Sequence, residues 1–241
     1  MNTPKPGLGM RPFGPMLYKN IISDNWKDEI NEAAKTSTIE ANHRLVGCID
    51  RQVEYKLSED ARSELIDYVL EYVDMLYNQG LFKFDSLSFR RDKGSISMDK
   101  PWVNVQKKGE WNPPHMHDGK FSCIVYTKIP KILRDEWKHP TQRGKLSTAG
   151  KISFLYGEFM ELNQSNFGPL EPQEKEIYIF PSWLTHMVYP FNADCERISC
   201  STNIYFNEHM STVGNENIVA KTPNTQIVKK SKKPSIRGLP E

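Results

Sequence analysis

The sequence is short of cysteine and histidine, holding four and six in 241 residues. Cys48, Cys123, Cys195 and Cys200 show no CxxC spacing, and two of them sit inside apolar, strand-like runs. That leaves no thiol-pair motif, and the expectation is four reduced, mostly buried thiols in a cytosolic protein. No apolar run approaches the roughly 20 residues that cross a bilayer, so no membrane partner is expected. The opening Met1-Asn-Thr-Pro-Lys-Pro-Gly lacks the hydrophobic segment of a secretory signal. Charge of one sign is missing too: 32 Lys and Arg face 30 Asp and Glu, and a net +2 gives no field that argues for nucleic acid. There are no internal repeats. What is present is a chain 38% hydrophobic and 26% charged, long enough for one domain with a full core.

Residues 1–15 are rich in proline and glycine and read as an extended arm. Residues 23–35 read as a helix capped by Ser23 or Asp24, with Trp26, Ile30 and Ala33 on one face. A clearer helix runs over residues 58–79. Ser58 is its cap, Glu59 and Asp60 sit at the positive end of its dipole, and Gly80 stops it. Leu65, Val69, Tyr72 and Leu76 form its apolar stripe, which is a packing feature. From residue 83 the period changes to two, and residues 84–89, 101–106, 121–127, 151–156, 176–180 and 198–206 read as strands. Helices followed by strands imply an antiparallel, mostly β structure with flanking helices, and six strands in about 120 residues suggest two facing sheets, a jelly roll. Residues 131–150, charged and broken by Pro140 and Gly144, read as a surface excursion or lid. The organisation expected is an arm with packing helices over 1–82, a core over 83–207 and a polar basic tail over 208–241, with Lys229-Lys-Ser-Lys-Lys as a solvated run.

Two of the scarce histidines sit in Asn112-Pro-Pro-His-Met-His-Asp118. On extended backbone, residues i and i+2 point the same way, so His115 and His117 aim at one spot where imidazoles can bind one metal ion. Such pairs are also common on surfaces. A third histidine, His186, follows a buried-looking strand in Phe180-Pro-Ser-Trp-Leu-Thr-His186, where an unpaired imidazole is costly. On its own it is equally a satisfied core histidine. Arg197 then opens the apolar run Arg-Ile-Ser-Cys-Ser-Thr-Asn-Ile-Tyr-Phe. A guanidinium cannot shed its charge and needs a partner there. Arg197 and Ser199 share a face, presenting a bidentate carboxylate binder and a hydroxyl to a small anion. The competing reading is a structural salt bridge to an internal acid such as Glu176.

An HxH pair, a distal histidine, and an arginine with a serine two residues on resemble the 2-oxoglutarate/Fe(II) oxygenase superfamily. The closer likeness is to its prolyl-hydroxylase-like branch, abundant in marine bacteria and their phages. Trp102-Val-Asn-Val-Gln, Gly109-Glu-Trp-Asn-Pro-Pro-His-Met-His, Ser122-Cys-Ile-Val-Tyr, Phe180-Pro-Ser-Trp-Leu-Thr-His and Arg197-Ile-Ser carry the resemblance, over roughly residues 83–207. It implies a double-stranded β-helix, Fe(II) and 2-oxoglutarate as cofactors, oxygen as co-reactant, and hydroxylation of a C–H bond, with a peptide or protein proline as the favoured substrate class. It also implies His115 and His186 as ligands, His117 where an aspartate is usual, Arg197 on the distal carboxylate of 2-oxoglutarate, and Ser199 and Tyr126 beside it. Asn104 lines the same pocket or faces solvent. The usual facial triad has two histidines and one carboxylate, so His117 leaves the centre one negative charge short. Asp118 is the minor candidate for the third ligand, since Gly119 permits a turn there. Two rival readings stand beside the enzyme: a phage structural or interaction protein on an oxygenase fold with an unused metal site, and a three-histidine, cupin-like metal protein without 2-oxoglutarate. Arg197 with Ser199 speaks against the latter. A cytoplasmic location is expected, that of the host if the chain is phage-encoded.

Overall fold

The computed structural model describes residues 7–10, 14–91, 94–138, 147–157 and 165–207. The basic tail, His139 and His209 lie outside them. The strands are β1 (Leu8–Met10), β2 (Leu17–Ile21), β3 (Arg51–Glu54), β4 (Ile96–Met98), β5 (Trp102–Gln106), β6 (Asn112–His115), β7 (Phe121–Lys128), β8 (Ile152–Tyr156), β9 (Ser165–Leu170), β10 (Glu176–Pro181), β11 (Thr185–Val188) and β12 (Arg197–Phe206). The helices are α1 (Asp24–Thr36), α2 (Glu59–Asn78), α3 (Ser86–Arg91) and α4 (Lys131–Lys138). Among the described residues no helix is long and apolar enough to cross a membrane.

The pairing from β5 onward is nested. β8 pairs with β9, β7 with β10, β6 with β11 and β5 with β12, all antiparallel. A long hairpin rolled on itself gives this pattern, and rolling sends its strands into two sheets. The large sheet runs β1-β2-β10-β7-β12-β5-β3 with β4 on β12, and the small one runs β6-β11-β8-β9. This is the expected double-stranded β-helix. Its two cores separate by face. Leu17, Ile124, Tyr126, Phe154, Tyr178, Phe180 and Val188 belong to one cluster, drawn from both sheets. Val103, Val125, Ile177, Ile179, Ile198, Cys200 and Ile204, on the other face of the large sheet, pack with Trp26, Ile30, Leu65, Val69 and Tyr72 of α1 and α2.

Both long helices start where their caps direct. Ser23 and Ser58 accept hydrogen bonds from the backbone N–H groups of Trp26 and Ala61 at 3.3 and 3.1 Å, filling donors that a helix start leaves free. Gly80 carries φ +67°, a conformation that ends α2 without Cβ strain. In α1 the third buried position is Ala34 rather than Ala33.

Three expectations change. Residues 84–89 are not a strand: Asp85 Oδ1 accepts from both the N–H and the hydroxyl of Ser88 at 2.9 Å, and this local cap starts α3. Lys131–Lys138 is a helix rather than an excursion, anchored by buried Leu133 and by Trp137 Nε1 donating to Ala149 O at 2.7 Å; residues 139–146 lie outside the described set. Part of the arm expected over residues 1–15 is sheet, since β1 pairs with β2. Of the thiols, all free, Cys123 and Cys200 are buried, Cys195 is half-buried and Cys48 is exposed.

Candidate metal centre and cosubstrate pocket

Nested pairing is what gathers the site. β6 against β11 sets His186 directly opposite His115. His117 lies in the turn beyond β6, where its N–H donates to Ser182 O at 2.9 Å, the turn between β10 and β11. One potential ligand atom from each ring lies within 4.8 Å of the others, and the Nε2 atoms of His117 and His186 stand 3.2 Å apart. His115 Nδ1 is 2.6 Å from Pro113 O and His186 Nδ1 is 3.0 Å from Leu184 O. An Nδ1–H donating to each carbonyl leaves Nε2 with a free lone pair turned to the common point, the second-shell arrangement that suits a metal ligand. Burial holds the rings neutral. It pushes His117 down to about 4, aided by His115, lowers His115, and lowers His186 well below the usual imidazole range, with His115 and His117 adding to it. Trp102 backs the His117 ring at 5.7 Å between centroids, and Phe180 backs His186 at 4.9 Å.

Asp118 is exposed and stands outside this group, and so does exposed His43. Among the described residues, the cluster of metal-ligating side chains is three neutral imidazoles with no carboxylate.

β5 against β12 builds the second half. Arg197 pairs with Gln106 across the sheet and is 1% exposed. Its Nη1 donates to Gln106 Oε1 at 2.7 Å, and its guanidinium lies 4.8 Å from the centre of the Tyr126 ring. Gln106 is fixed in turn, its Nε2 donating to Glu110 O at 2.6 Å and to Tyr189 O at 3.1 Å. The salt bridge to Glu176 does not form: Glu176 is paired with Lys19 and accepts from the Tyr178 hydroxyl at 2.9 Å. Arg197 Nε and Nη2 and the Tyr126 hydroxyl are buried without well-formed hydrogen bonds; the guanidinium and the phenol interact closely enough to raise the first pKa and lower the second, but no acid among the described residues bonds to them. Burial lowers the Arg197 pKa, and it pushes Tyr126 up to about 12. Ser199, 1% exposed, pairs with both Asn104 and Tyr126 on the flanking strands. Asn104 faces inward, not to solvent, and accepts from Gln52 Nε2 at 2.7 Å. A cavity of about 80 Å³ connects the pieces, lined by His115, His117, His186, Asn104, Ser199 and Arg197 among others.

Two contributors escaped the sequence reading. Gln106 shares the inward face of β5 with Trp102 and Asn104, so its spacing was a usable signal. Gln52 lies on β3, outside every recognisable motif, and nothing in the sequence marks it.

Residues 100–203 match a family model described as "Putative 2OG-Fe(II) oxygenase". Over those residues the core of this chain is similar to the 2OG-Fe(II) oxygenase family. The family's cofactors are Fe(II) and 2-oxoglutarate, and the donor set fits them: imidazole suits iron, and the unfilled N–H groups of Arg197 suit a carboxylate. Among solved structures, the domain is similar to a prolyl hydroxylase from Trichoplax adhaerens in complex with a hypoxia inducible factor oxygen degradation domain peptide fragment. There the TM-score is 0.43 with 16% identity, over 84% of this chain and 88% of that one. A Pseudomonas putida prolyl-4-hydroxylase gives a TM-score of 0.44 and 12% identity, over 79% and 92%. HygX from Streptomyces hygroscopicus, with nickel, 2-oxoglutarate and hygromycin B bound, gives 0.43 and 9%, over 81% and 84%. No curated protein sequence matches the chain.

Proposed function

We propose that this oxygenase domain hydroxylates a C–H bond of its substrate, with iron on His115, His117 and His186 and the distal carboxylate of 2-oxoglutarate on Arg197. The observation that carries the reading is Arg197. A fully buried guanidinium with two unfilled donors and no internal acid is an uncompensated charge, which an arriving carboxylate removes. It lines the same cavity as the three imidazoles. When bound, the iron supplies the activation of oxygen that turns 2-oxoglutarate, oxygen and a C–H bond into succinate, carbon dioxide and an alcohol.

The chain's own residues bind and orient. The Gln106 amide, braced by two carbonyls, aims Arg197. Ser199 and Tyr126 sit beside the guanidinium, and Asn104 lines the wall toward the imidazoles. Phe180, Ile124 and Val188 give the same cavity apolar walls that limit water. A peptidyl proline is the substrate class to try first, on the resemblance to the prolyl-hydroxylase-like branch.

Succinate release with Fe(II) and 2-oxoglutarate, with and without proline-containing peptides, tests the reading. Wild type should release succinate. His186→Ala should lose metal before cosubstrate, with Fe(II) affinity down by about 100-fold or more, beyond what outer-shell losses alone produce. His117→Asp restores the missing negative charge and should tighten Fe(II). If wild type neither binds 2-oxoglutarate in the presence of Fe(II) nor releases succinate, and His117→Asp gains both, the alternative stands: an interaction protein on an oxygenase fold with a degenerate metal site.

A further inference from the structure

The spare hydrogen-bonding capacity of the cavity is sorted by sign. At the Arg197 end it consists of donors, Nε and Nη2, with the Tyr126 hydroxyl beside them. On the side toward the loop at residues 45–47 it consists of acceptors. Gln52 is 2% exposed; with its Nε2 given to Asn104, its Oε1 is buried without a partner and lines the cavity. Asn112 Oδ1, on the strand leading to His115, is likewise buried and unpartnered on that wall. 2-Oxoglutarate carries no donor at neutral pH and so satisfies none of these acceptors.

Leu45, Trp102, Met116 and His117 are shared with a second, open groove of about 460 Å³, whose remaining lining is Asp99, Asp118 and Asn203. The groove thus begins at an imidazole of the metal cluster and carries two carboxylates, with no lysine or arginine among its lining residues. Asp99 is held in place, its Oδ2 accepting from Asn203 Nδ2 at 3.0 Å and from the Tyr205 hydroxyl at 2.9 Å. Asp118 is exposed. The apolar members, Leu45, Trp102 and the 61% exposed Met116, offer contact to a hydrocarbon stem.

We infer that the primary substrate is a donor-rich cation, such as a peptide with a lysine or arginine near the oxidised residue, whose positive group lies in the Asp99–Asp118 groove. This rests on the oxygenase reading of the imidazole cluster, and it names the substrate class for that site. The whole-chain charge of +2 gives no field that would favour basic peptides, so a preference for them is a property of the groove.

The test uses three matched proline-containing peptides with lysine, glutamine or glutamate at the flanking positions, each with a neutral fluorophore, on the full chain with Fe(II) and 2-oxoglutarate under nitrogen. Equilibrium binding is read by fluorescence anisotropy, so the outcome does not depend on turnover. The lysine peptide should bind about 10-fold or more tighter than the glutamate peptide, in line with the cost of like-charge juxtaposition. Asp118→Asn, on an exposed side chain, should shrink that ratio, Asp118→Lys should reverse it, and Asp99→Asn with Asp118→Asn should abolish it. Equal binding of the three peptides, tighter binding of the glutamate peptide, or a ratio indifferent to these substitutions overturns the inference. Parallel succinate measurements separate the two ideas: succinate release without a charge preference sinks the groove and spares the oxygenase, and a charge preference without succinate release does the opposite.

Discussion

The two faces of β12 are built for different ends. Ile198, Cys200 and Ile204 turn outward into the cluster that α1 and α2 complete, where the contacts are apolar. Arg197, Ser199 and Ser201 turn inward to the cavity, where buried donors and acceptors are left unfilled. Because side chains alternate along a strand, one segment carries both jobs without either intruding on the other. The outer layer supplies stability, and part of it is given up inside, where a guanidinium and three imidazoles are desolvated.

The sharpest way to break this comparison is Arg197→Met. On the stated reading it removes the cosubstrate's charge partner, and 2-oxoglutarate should bind about 100-fold or more weaker, as for truncation of a buried hydrogen-bonded charge pair. It also removes an unpaired buried charge, so the melting temperature without 2-oxoglutarate should hold or rise. A variant that melts much lower while keeping its 2-oxoglutarate affinity would show that Arg197 is a structural residue.

The outer face should answer in reverse. Ile204 is fully buried in the cluster behind the large sheet, and Ile204→Ala should cost about 2–5 kcal/mol in urea unfolding. Its folded fraction should bind 2-oxoglutarate with wild-type affinity. Coupled loss of both properties would mean that the two faces are not independent.

Acid sharpens the contrast further. The three imidazoles have folded pKa values below the ordinary 6.5, His117 near 4, so between those limits the unfolded chain takes up protons that the metal-free folded chain refuses. Stability from these groups is therefore complete above about pH 6.5 and falls as pH drops toward 4. Urea midpoints of the metal-free protein should show this fall, and His117→Phe should flatten it. Ile204→Ala should shift the whole curve down without changing its slope. Fe(II) affinity of the folded chain should hold through most of that window and decline as pH nears 4, where His117 takes a proton and competes with the metal.

The sequence made the candidate site residues easier to pick out than the frame that carries them. His115, His186, Arg197 and Ser199 announce themselves because each residue type is expensive in an apolar context. β5 and the first half of β12 alternate apolar with polar residues, and β7, β8 and β10 are short apolar runs bounded by turn residues, so all five read as strands. β6 was hidden by Pro113 and Pro114, which argue against a strand until its single ladder with β11 is known. β3 reads Arg-Gln-Val-Glu and owes its place to β5, and β11 has four residues, too few for a period to register. At residues 84–89 only Leu87 and Phe89 alternate with serines, and the cap that Asp85 makes with Ser88 outweighs so short a pattern. Gln52 and Gln106 were missed for a different reason: an amide advertises nothing until its partners, Asn104 and Arg197, are seen across the sheet.

The smallest effect lies farthest from the cavity, and it tests how cleanly the outer layer is confined to stability. Ser58 makes two bonds: its Oγ accepts from Ala61 N–H at 3.1 Å, capping α2, and donates to Glu29 Oε1 at 2.8 Å, tying α2 to α1. Glu29 Oε2 in turn accepts from the Tyr55 hydroxyl at 2.5 Å, so the carboxylate keeps a partner when Ser58 is lost. Ser58→Ala should therefore cost about 1 kcal/mol, the usual value of a cap, and lower the melting temperature by about 2–4 °C in a chain of this size. Ser58→Gly loses the same bond to Glu29 but is far milder as a cap, so the difference between the two variants isolates the capping share. Ser58→Asp keeps the cap but sets a second carboxylate against Glu29, and it should fall below Ser58→Gly for that reason. None of the three should move 2-oxoglutarate affinity. A change there of several-fold, from a residue on the helix layer, would mean that packing behind the large sheet sets the position of Arg197 in front of it.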